Sequence, residues 1–148
     1  MGEREAGEIT GWAYPPPYDF YNLNGEGAEE LMGYEAVLED GCLVGFFCTG
    51  EEARVPAGYG AGAYPEGDGI IDIGLWMKPE RTGLGQGPEF FKLILDHLRA
   101  TRSPSAFRLT VADFNERAIR LYRNAGFRET GTFTRGDTRF LVLMKTEI

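Results

Sequence analysis

The segment Thr82-Gly-Leu-Gly-Gln-Gly87 is a glycine run between an apolar stretch that ends at Met77 and a helical pattern that begins at Pro88. Alternating glycines let the main chain approach a ligand closely and turn several N–H groups to one side. The helix that follows adds the positive end of its dipole, and Arg81 adds a charge, so the run is suited to a pyrophosphate. It is neither a G-x-G-x-x-G motif nor a P-loop. A flexible connection is the alternative.

Asn115 and Tyr122 are a second pair of residues that could do chemistry. They lie seven residues apart in a predicted helix, so they share one helical face about two turns from each other. The Asn side chain can pair with amide groups, and a phenol can donate a proton. The simpler interpretations are a helix N-cap for Asn115 and a core aromatic for Tyr122.

The elements that would position these residues follow from patterning and turn residues. Apolar alternation and β-branched runs predict strands, and Phe90, Phe91, Ile94, Leu95 and Leu98 recur at helical spacing. The predicted strands are Ile9–Ala13, Tyr34–Glu39, Leu43–Thr49, Ile70–Met77, Phe107–Val111, Gly126–Arg135 and Thr138–Lys145. The predicted helices are a short Gly27–Met32, one that begins at Pro88, and Asn115–Asn124; residues 54–69 are predicted to be loop.

These elements predict one mixed α/β (α+β) domain over residues 1–148, with a mostly antiparallel central sheet of about seven strands. Arg108 and Thr110 alternate with apolar neighbours, which predicts that the strand around them is half-buried. Cys42 and Cys48 lie six residues apart in an apolar stretch, and we expect buried, reduced thiols. With two cysteines and one histidine, we expect no metal site.

The charge distribution is uneven. The formal net charge is −8, which is unlike a nucleic-acid binder. Residues 1–78 hold fifteen acidic and three basic residues, whereas residues 79–148 hold eight acidic and twelve basic residues. An anionic ligand would favour the second part and a cationic ligand the first, unless both are ordinary solvated surfaces. No apolar run approaches the ~20 residues of a membrane span, and we expect a cytoplasmic protein with no membrane partner.

The segment from Val111 to Phe127 resembles the signature V-x-x-x-N-x-x-A-x-x-L-Y-x-x-x-G-F of the GNAT superfamily of N-acetyltransferases. The residues at the signature positions are Asn115, Ala118, Leu121, Tyr122, Gly126 and Phe127. The glycine run is similar to the family's Q/R-x-x-G-x-G/A motif, with Gly85 and Gly87 at the glycine positions. Thr82 stands where that motif usually has Gln or Arg. The resemblance covers residues 70–146, and residues 1–69 match only in strand order.

The resemblance implies that acetyl-CoA lies in a V between two splayed strands, the fourth and fifth of the predicted sheet. It implies that the main chain of Leu75, Trp76 and Met77 holds the pantetheine arm and polarises the acetyl carbonyl. The remaining implied acetyl-CoA-binding residues are Thr82, Gly83, Leu84, Gly85, Gln86, Gly87, Asn115, Ala118 and Tyr122. Tyr122 would be the general acid that protonates the leaving thiolate, and no metal is implied.

The general base is an open question at this stage. Asp72 lies on the pantetheine strand, near the position where many relatives carry a glutamate, so it is the predicted base. An exposed acid at the strand edge is the equal alternative for Asp72. Glu35 is a weaker candidate. His97 is a poor one, because it follows Leu95 on the helix after the glycine run.

The predicted activity is therefore transfer of acetyl from acetyl-CoA to a primary amine by direct attack, in the EC 2.3.1 class. The acidic part of the chain and the aromatic segment Trp12–Tyr21 favour a cationic acceptor, such as a small amine or a peptide N-terminus or lysine. A homodimer is a further expectation. The competing interpretations are a non-catalytic acyl-CoA-binding protein on the same fold and a nucleotide-binding α/β domain. The second is disfavoured by the terminal hairpin.

Overall fold

The computed structural model describes residues 1–14, 16, 18, 23, 25, 31, 33–65, 67, 69–82 and 85–147. Within them, six strands form one sheet in the order β1-β2-β3-β4-β6-β5. The strands are β1 Glu35–Glu39, β2 Cys42–Thr49, β3 Ile70–Met77, β4 Ala106–Ala112, β5 Arg128–Arg135 and β6 Thr138–Thr146. The helices are α1 Glu3–Thr10, α2 Ala57–Gly60, α3 Gly87–Arg102 and α4 Glu116–Asn124, with 3-10 turns at Gly50–Ala53 and Pro79–Arg81.

The residues group into two compact units, Met1–Cys48 with Leu75–Gly87, and Thr49–Gly74 with Pro88–Ile148. The core of the first unit is built on α1 and on the β1–β2 hairpin. Its buried apolar residues are Ala6, Ile9, Trp12, Leu31, Leu43 and Phe46. The hairpin turns at Asp40 and Gly41, both with positive φ, which is the conformation of a two-residue hairpin turn.

The core of the second unit lies on both faces of β4. This strand is buried along nearly its whole length and pairs antiparallel with β6, which in turn pairs antiparallel with β5. The apolar face of α3 is buried through Phe90, Phe91, Ile94, Leu95 and Leu98, the residues whose helical spacing the sequence shows.

The parallel pairing of β3 with β4 is short. It runs from Ile70 opposite Ala106 to Ile73 opposite Leu109. The last four residues of β3 lie beyond this register. β3 is the fourth and β4 the fifth strand of the predicted sheet, and these are the two strands that the sequence predicts to splay.

Most predicted elements are confirmed. β3 has the predicted bounds, α3 begins beside Pro88, and the terminal hairpin turns at Gly136, which has a φ of 60°. The mixed α+β class with a mostly antiparallel sheet is confirmed, but the described residues form six strands instead of about seven. The predicted helix Gly27–Met32, except for Leu31, and much of the segment Trp12–Tyr21 lie outside the described residues.

The missing strand is the one predicted at Ile9–Ala13, and this prediction was wrong. Residues 3–10 form helix α1, with Ala6, Ile9 and Thr10 buried on one face. That spacing of three and four residues is helical, and Glu3 and Glu5 in the first turn favour the helix dipole.

Two other local predictions were also wrong. The segment predicted to be loop from residue 54 to residue 69 contains the short helix α2. Cys42 is exposed because it opens β2 at the hairpin turn, whereas Cys48 is buried as expected. Cys42 and Cys48 are not joined by a disulfide.

Candidate functional site

In the first unit, the Trp76 side chain near the end of β3 packs with aromatic rings from other segments. The Trp76 ring stacks on Phe46 with centroids 4.7 Å apart and 11° between the ring planes. Tyr34 stacks on the same Trp76 at 6.0 Å. Trp76 and Tyr34 are half-buried, whereas Phe46 belongs to the core. The three rings therefore form a wall that supports the strand end and remains partly accessible.

The main chain at the end of β3 accepts a hydrogen bond from the side chain of Tyr14. The Tyr14 hydroxyl donates a hydrogen bond of 2.7 Å to the Met77 carbonyl oxygen. Burial of the phenol raises the pKa of Tyr14 well above its ordinary value, and the negative charge of Glu80 raises it further. Tyr14 therefore stays protonated and remains a donor at any physiological pH. The Lys78 N–H donates to the Val44 carbonyl, so strand pairing continues past Met77.

The glycine run begins on the 3-10 turn that follows β3. The Thr82 hydroxyl donates to the Pro79 carbonyl at 2.7 Å, so this side chain folds back on its own turn. Arg81 donates through Nη1 to Glu39 Oε2 at 2.9 Å and to Gln86 Oε1 at 3.4 Å. The Arg81 guanidinium therefore contacts Glu39 at the end of β1 and Gln86 in the glycine run.

Gly85 is the position in the described part of the run where glycine is required. Its φ is +75°, in the left-handed region, and it is exposed, with no heavy atom within 4 Å of an added Cβ. Gly87 begins the sixteen-residue helix α3. These features fit an anion held by main-chain amides at the start of a helix. The predicted site residues Gly83 and Leu84 lie outside the described residues.

In the second unit, Asn115 is the N-cap of α4. Its Oδ1 accepts a hydrogen bond of 3.2 Å from the Ala118 N–H, so the N-cap interpretation is confirmed for the side-chain oxygen. An Asn side chain also has an NH₂ group, and that group is the one able to donate to an amide carbonyl of a ligand. A role as N-cap and a role in binding are thus compatible.

Tyr122 lies on the buried face of α4 with 7% of its surface exposed. Its ring lies against Phe91 at 5.2 Å and Phe127 at 6.3 Å between centroids. The Tyr122 carbonyl accepts the N–H of Phe127, which closes the end of the helix. The aromatic packing orients the ring, and a phenol held in this way can serve as a positioned proton donor.

Asp72 is the centre of a buried ionic cluster. Arg108 donates to it through Nε at 2.6 Å and through Nη2 at 2.8 Å, and Arg54 donates through Nε at 2.8 Å. Asp72 is 3% exposed and Arg108 only 1%. The alternative of an exposed acid at the strand edge was therefore wrong. Both carboxylate oxygens accept from guanidinium groups, which leaves little capacity to accept a proton from a substrate amine.

Tyr64 extends this cluster. Its ring lies under both guanidinium groups, 5.7 Å from Arg54 and 5.1 Å from Arg108. Its hydroxyl accepts from the Val55 N–H and hydrogen-bonds to Thr110 Oγ1 at 2.6 Å. Hydrogen bonding to Tyr59 and to Asp72 raises the pKa of Arg54 above its ordinary value. The cluster thus ties the segment after residue 54 to β3 and β4.

Sequence reasoning missed this cluster because it placed Arg108 on a solvated strand face. The strand is buried on both faces, so the prediction that it is half-buried was wrong. The signal that could have revealed the cluster is an acidic residue in one predicted strand and a basic residue in the next. In the structure, Asp72 on β3 lies directly opposite Arg108 on β4.

The other two sequence candidates for the general base are both exposed. Glu35 is exposed at the start of β1, and His97 is exposed on α3. Across the described residues, no cluster of three or more His, Cys, Asp or Glu side chains could hold a metal ion. None of the described helices is long and apolar enough to cross a membrane.

Comparisons with known proteins place this chain in a family. The model of the acetyltransferase (GNAT) family matches residues 3–127. The mycothiol acetyltransferase of Acidothermus cellulolyticus is 38% identical over 115 residues, which are 72% of this chain and 34% of that protein. The chain thus spans about a third of the length of this curated relative.

Solved structures share the fold. A putative acetyltransferase, yncA, from Salmonella typhimurium, solved with its cofactor acetyl-CoA, has a TM-score of 0.63 at 16% identity over 99% of this chain and 90% of that one. The aminoglycoside acetyltransferase AAC(6')-Ib, solved with coenzyme A, has a TM-score of 0.70 at 19% identity over 99% and 91%. The matched family model, which includes the glycine run and the whole signature segment Val111–Phe127, shows that the chain belongs to the acetyltransferase (GNAT) family, as the sequence motifs predict.

Proposed function

We propose that this protein transfers the acetyl group of acetyl-CoA to a primary amine by direct attack. The observation that carries the proposal is the pairing of strand β3 and the segment that follows its end. The pairing with β4 runs from Ile70 to Ile73, and the exposed Gly85 lies shortly before the long helix α3. Family membership and the acetyl-CoA or coenzyme A held by the structural neighbours support the same cosubstrate.

Binding of acetyl-CoA is assigned to main-chain groups and a few side chains. The main chain of Leu75, Trp76 and Met77 holds the pantetheine arm. The amides from Thr82 to Gly87, which include Gly83, Leu84, Gly85 and Gln86, hold the pyrophosphate. Asn115 donates to a pantetheine carbonyl, and Ala118 lies one turn further along the same helix.

The reaction needs three contributions from the protein. A main-chain amide near Met77 stabilises the negative oxygen that forms when the amine adds to the thioester carbonyl. Tyr122 donates its proton to the departing sulfur as the C–S bond breaks. A phenol ordinarily has a pKa near 10 and a thiol near 8.5, so Tyr122 works best when proton transfer accompanies bond cleavage.

The third contribution is removal of a proton from the amine. Asp72 is a poor base because two arginines already occupy its carboxylate oxygens. We therefore assign to Asp72 a structural role, and assign deprotonation of the amine to water or to a group of the acceptor-binding region.

The acceptor is proposed to be a cationic amine. Residues 1–78 carry fifteen acidic residues against three basic ones. The half-buried Tyr34 and Trp76 in the first unit are aromatic side chains, which are of the kind that attracts a cation. Polyamines, aminoglycosides, amino sugars and peptide N-termini share this chemistry, and one of the structural neighbours is named an aminoglycoside acetyltransferase.

The test is release of free thiol from acetyl-CoA in the presence of a panel of these amines. The expected result is amine-dependent release by the wild type, with the acetylated amine identified by mass spectrometry. Absence of release with every class of amine, together with absence of acetyl-CoA binding by calorimetry, would overturn the proposal. This assay does not test two other predictions, which are that the protein is cytoplasmic and that it forms a homodimer.

A further inference from the structure

The ionic cluster around Asp72 holds more positive than negative charge. The Asp72 carboxylate forms an ion pair with Arg54 at 2.8 Å and with Arg108 at 2.6 Å. Within the part of the chain that the structure describes, neither arginine forms an ion pair with a second acid. Arginine stays protonated in proteins, so two positive charges face one negative charge. Because an unbalanced charge away from water is unfavourable, the cluster would be stabilised by one further anion.

The unbalanced charge is available at Arg54. The Arg108 side chain is 1% exposed, and each of its three nitrogen atoms donates to Asp72 or to the Pro65 carbonyl. The Arg54 side chain is 15% exposed and donates from Nε to Asp72 and from Nη1 to the Tyr59 hydroxyl at 3.4 Å. Its Nη2 group has no acceptor among the described residues. Arg54 can therefore donate to an oxygen of a ligand.

Tyr59 is an exposed second donor beside Arg54. It lies on the short helix α2, and 49% of its surface is exposed. Its hydroxyl accepts from Arg54, and its own proton has no acceptor among the side chains that the structure describes. The Arg54 guanidinium also lies 5.9 Å from the centre of the Tyr59 ring and 5.7 Å from that of Tyr64. Contacts with two rings restrict the guanidinium, so less freedom is lost when it binds a ligand.

We propose that Arg54 and Tyr59 bind a carboxylate of the acetyl acceptor, so that the acceptor is an amine that also carries a carboxylate, as an amino acid does. The inference rests on the proposed function, because it names the substrate class of that reaction. The excess of a single positive charge matches a carboxylate better than a phosphate, which carries more charge. The ammonium group of an amino acid keeps the cationic character proposed for the acceptor.

The position of the cluster on β3 fits an acceptor subsite. Asp72 lies opposite Arg108, one position before the pair of Ile73 with Leu109 that ends the parallel register. The main chain proposed to hold the pantetheine arm begins at Leu75 on the same strand. Three residues of extended strand span about 10 Å. The carboxylate subsite therefore lies near the proposed cosubstrate residues without including any of them.

The experiment compares matched pairs of acceptors, each an amino acid of the α, β or γ series beside its amide. For the wild type, kcat/KM is expected to favour the carboxylate member by about 10-fold to 100-fold, the effect of a hydrogen bond to a charged group. Arg54→Gln should remove this preference through a higher KM for the carboxylate member, while kcat/KM for the amide stays within about twofold. Arg54→Lys keeps the charge and should restore part of the preference.

Tyr59→Phe is a second variant for the same preference. It should lower the preference about threefold to tenfold, since it removes one donor. Because it changes an exposed side chain, it keeps the test decisive if Arg54→Gln unfolds. Urea denaturation checks the folding of Arg54→Gln, in which Asp72 retains both hydrogen bonds from Arg108.

Arg102→Gln is the matched control. Arg102 is an exposed arginine at the end of α3, and its Nη1 donates to the Thr49 hydroxyl. The variant loses one positive charge from the same compact unit, so it reports any general effect of charge. It should keep the preference for the carboxylate member within about twofold of the wild type.

A binding measurement separates this inference from the proposed function. Calorimetry compares the N-acetylated amino acids with their amides, which needs no turnover. If amines are acetylated but neither the acceptors nor these products show a carboxylate preference that depends on Arg54, the inference is refuted and the proposed function stands. The same holds if only phosphoethanolamine, compared with ethanolamine, shows such a preference. If the carboxylate products bind through Arg54 but no amine is acetylated, the subsite stands and the activity fails.

Discussion

Asp72 on β3 and Arg108 on β4 lie directly opposite each other and form two hydrogen bonds of 2.6 and 2.8 Å in the interior of the protein. Arg54 adds a third bond to the same carboxylate. Burying one acid with two guanidinium groups is costly unless all are satisfied. Arg108 meets this condition by also donating to the Pro65 carbonyl.

We expect Asp72→Ala to lower the free energy of unfolding by about 3–5 kcal/mol, because it leaves two guanidinium groups without their anion. Urea denaturation monitored by circular dichroism measures this loss. Arg123→Ala, which removes an exposed and distant ion pair with Glu129, is the control and should unfold like the wild type. A loss equal to that of the control would show that the buried cluster adds no stability.

Asp72→Asn tests whether Asp72 acts as the general base. If Asp72 deprotonates the amine, the variant loses turnover and the acidic limb of its profile of kcat/KM against pH disappears. We expect that limb to remain, with kcat/KM lowered only as far as the variant is partly unfolded. Loss of the limb in a fully folded variant would restore Asp72 as the base.

Tyr122→Phe removes the proposed proton donor and keeps the ring that packs against Phe91 and Phe127. We expect kcat to fall by about 10²–10⁴-fold, while the dissociation constant for CoA changes little. Single-turnover kinetics and calorimetry measure the two quantities. An unchanged kcat would remove Tyr122 from the reaction. Absence of turnover in the wild type with CoA binding intact would favour an acyl-CoA-binding protein.

Asn115 can be tested with two substitutions that separate its cap from its binding role. Asn115→Asp keeps an N-cap acceptor for the Ala118 N–H but loses the NH₂ donor, so stability should be retained and CoA affinity reduced. Asn115→Ala should also lower the free energy of unfolding, by about 0.5–2 kcal/mol. Equal CoA affinity in wild type and Asn115→Asp would restrict Asn115 to its N-cap.

Tyr14 gives a prediction about pH. Its pKa is raised in the folded state, by burial and by Glu80, so the folded protein keeps a proton that the unfolded chain loses above a pH of about 10. The stability that Tyr14 provides is therefore fully present below that pH and declines as pH rises further. Tyr14→Phe should show a smaller decline in the urea midpoint between pH 9 and pH 11. Parallel declines in both proteins would contradict the assignment.

The sequence alone predicted the elements whose signals are local. Strand β3, helix α3 and the Asn115 cap are confirmed because apolar spacing, proline at a helix start and an N-cap residue act within a few positions. The two motifs, about thirty residues apart, also identified the family. The segment Ile9–Ala13 was predicted to be a strand, whereas residues 3–10 form helix α1.

Only the tertiary structure shows which charged side chains form ion pairs with one another. Arg54, Asp72 and Arg108 are distant in sequence, and only the pairing of two strands turns an apparent solvent-facing arginine into a buried one. The contact of Arg81 with Glu39 likewise joins residues 42 positions apart. Charge–charge contacts carry no sequence period, so their partners depend on how the chain folds back, whereas helices and strands follow from the spacing of neighbouring side chains.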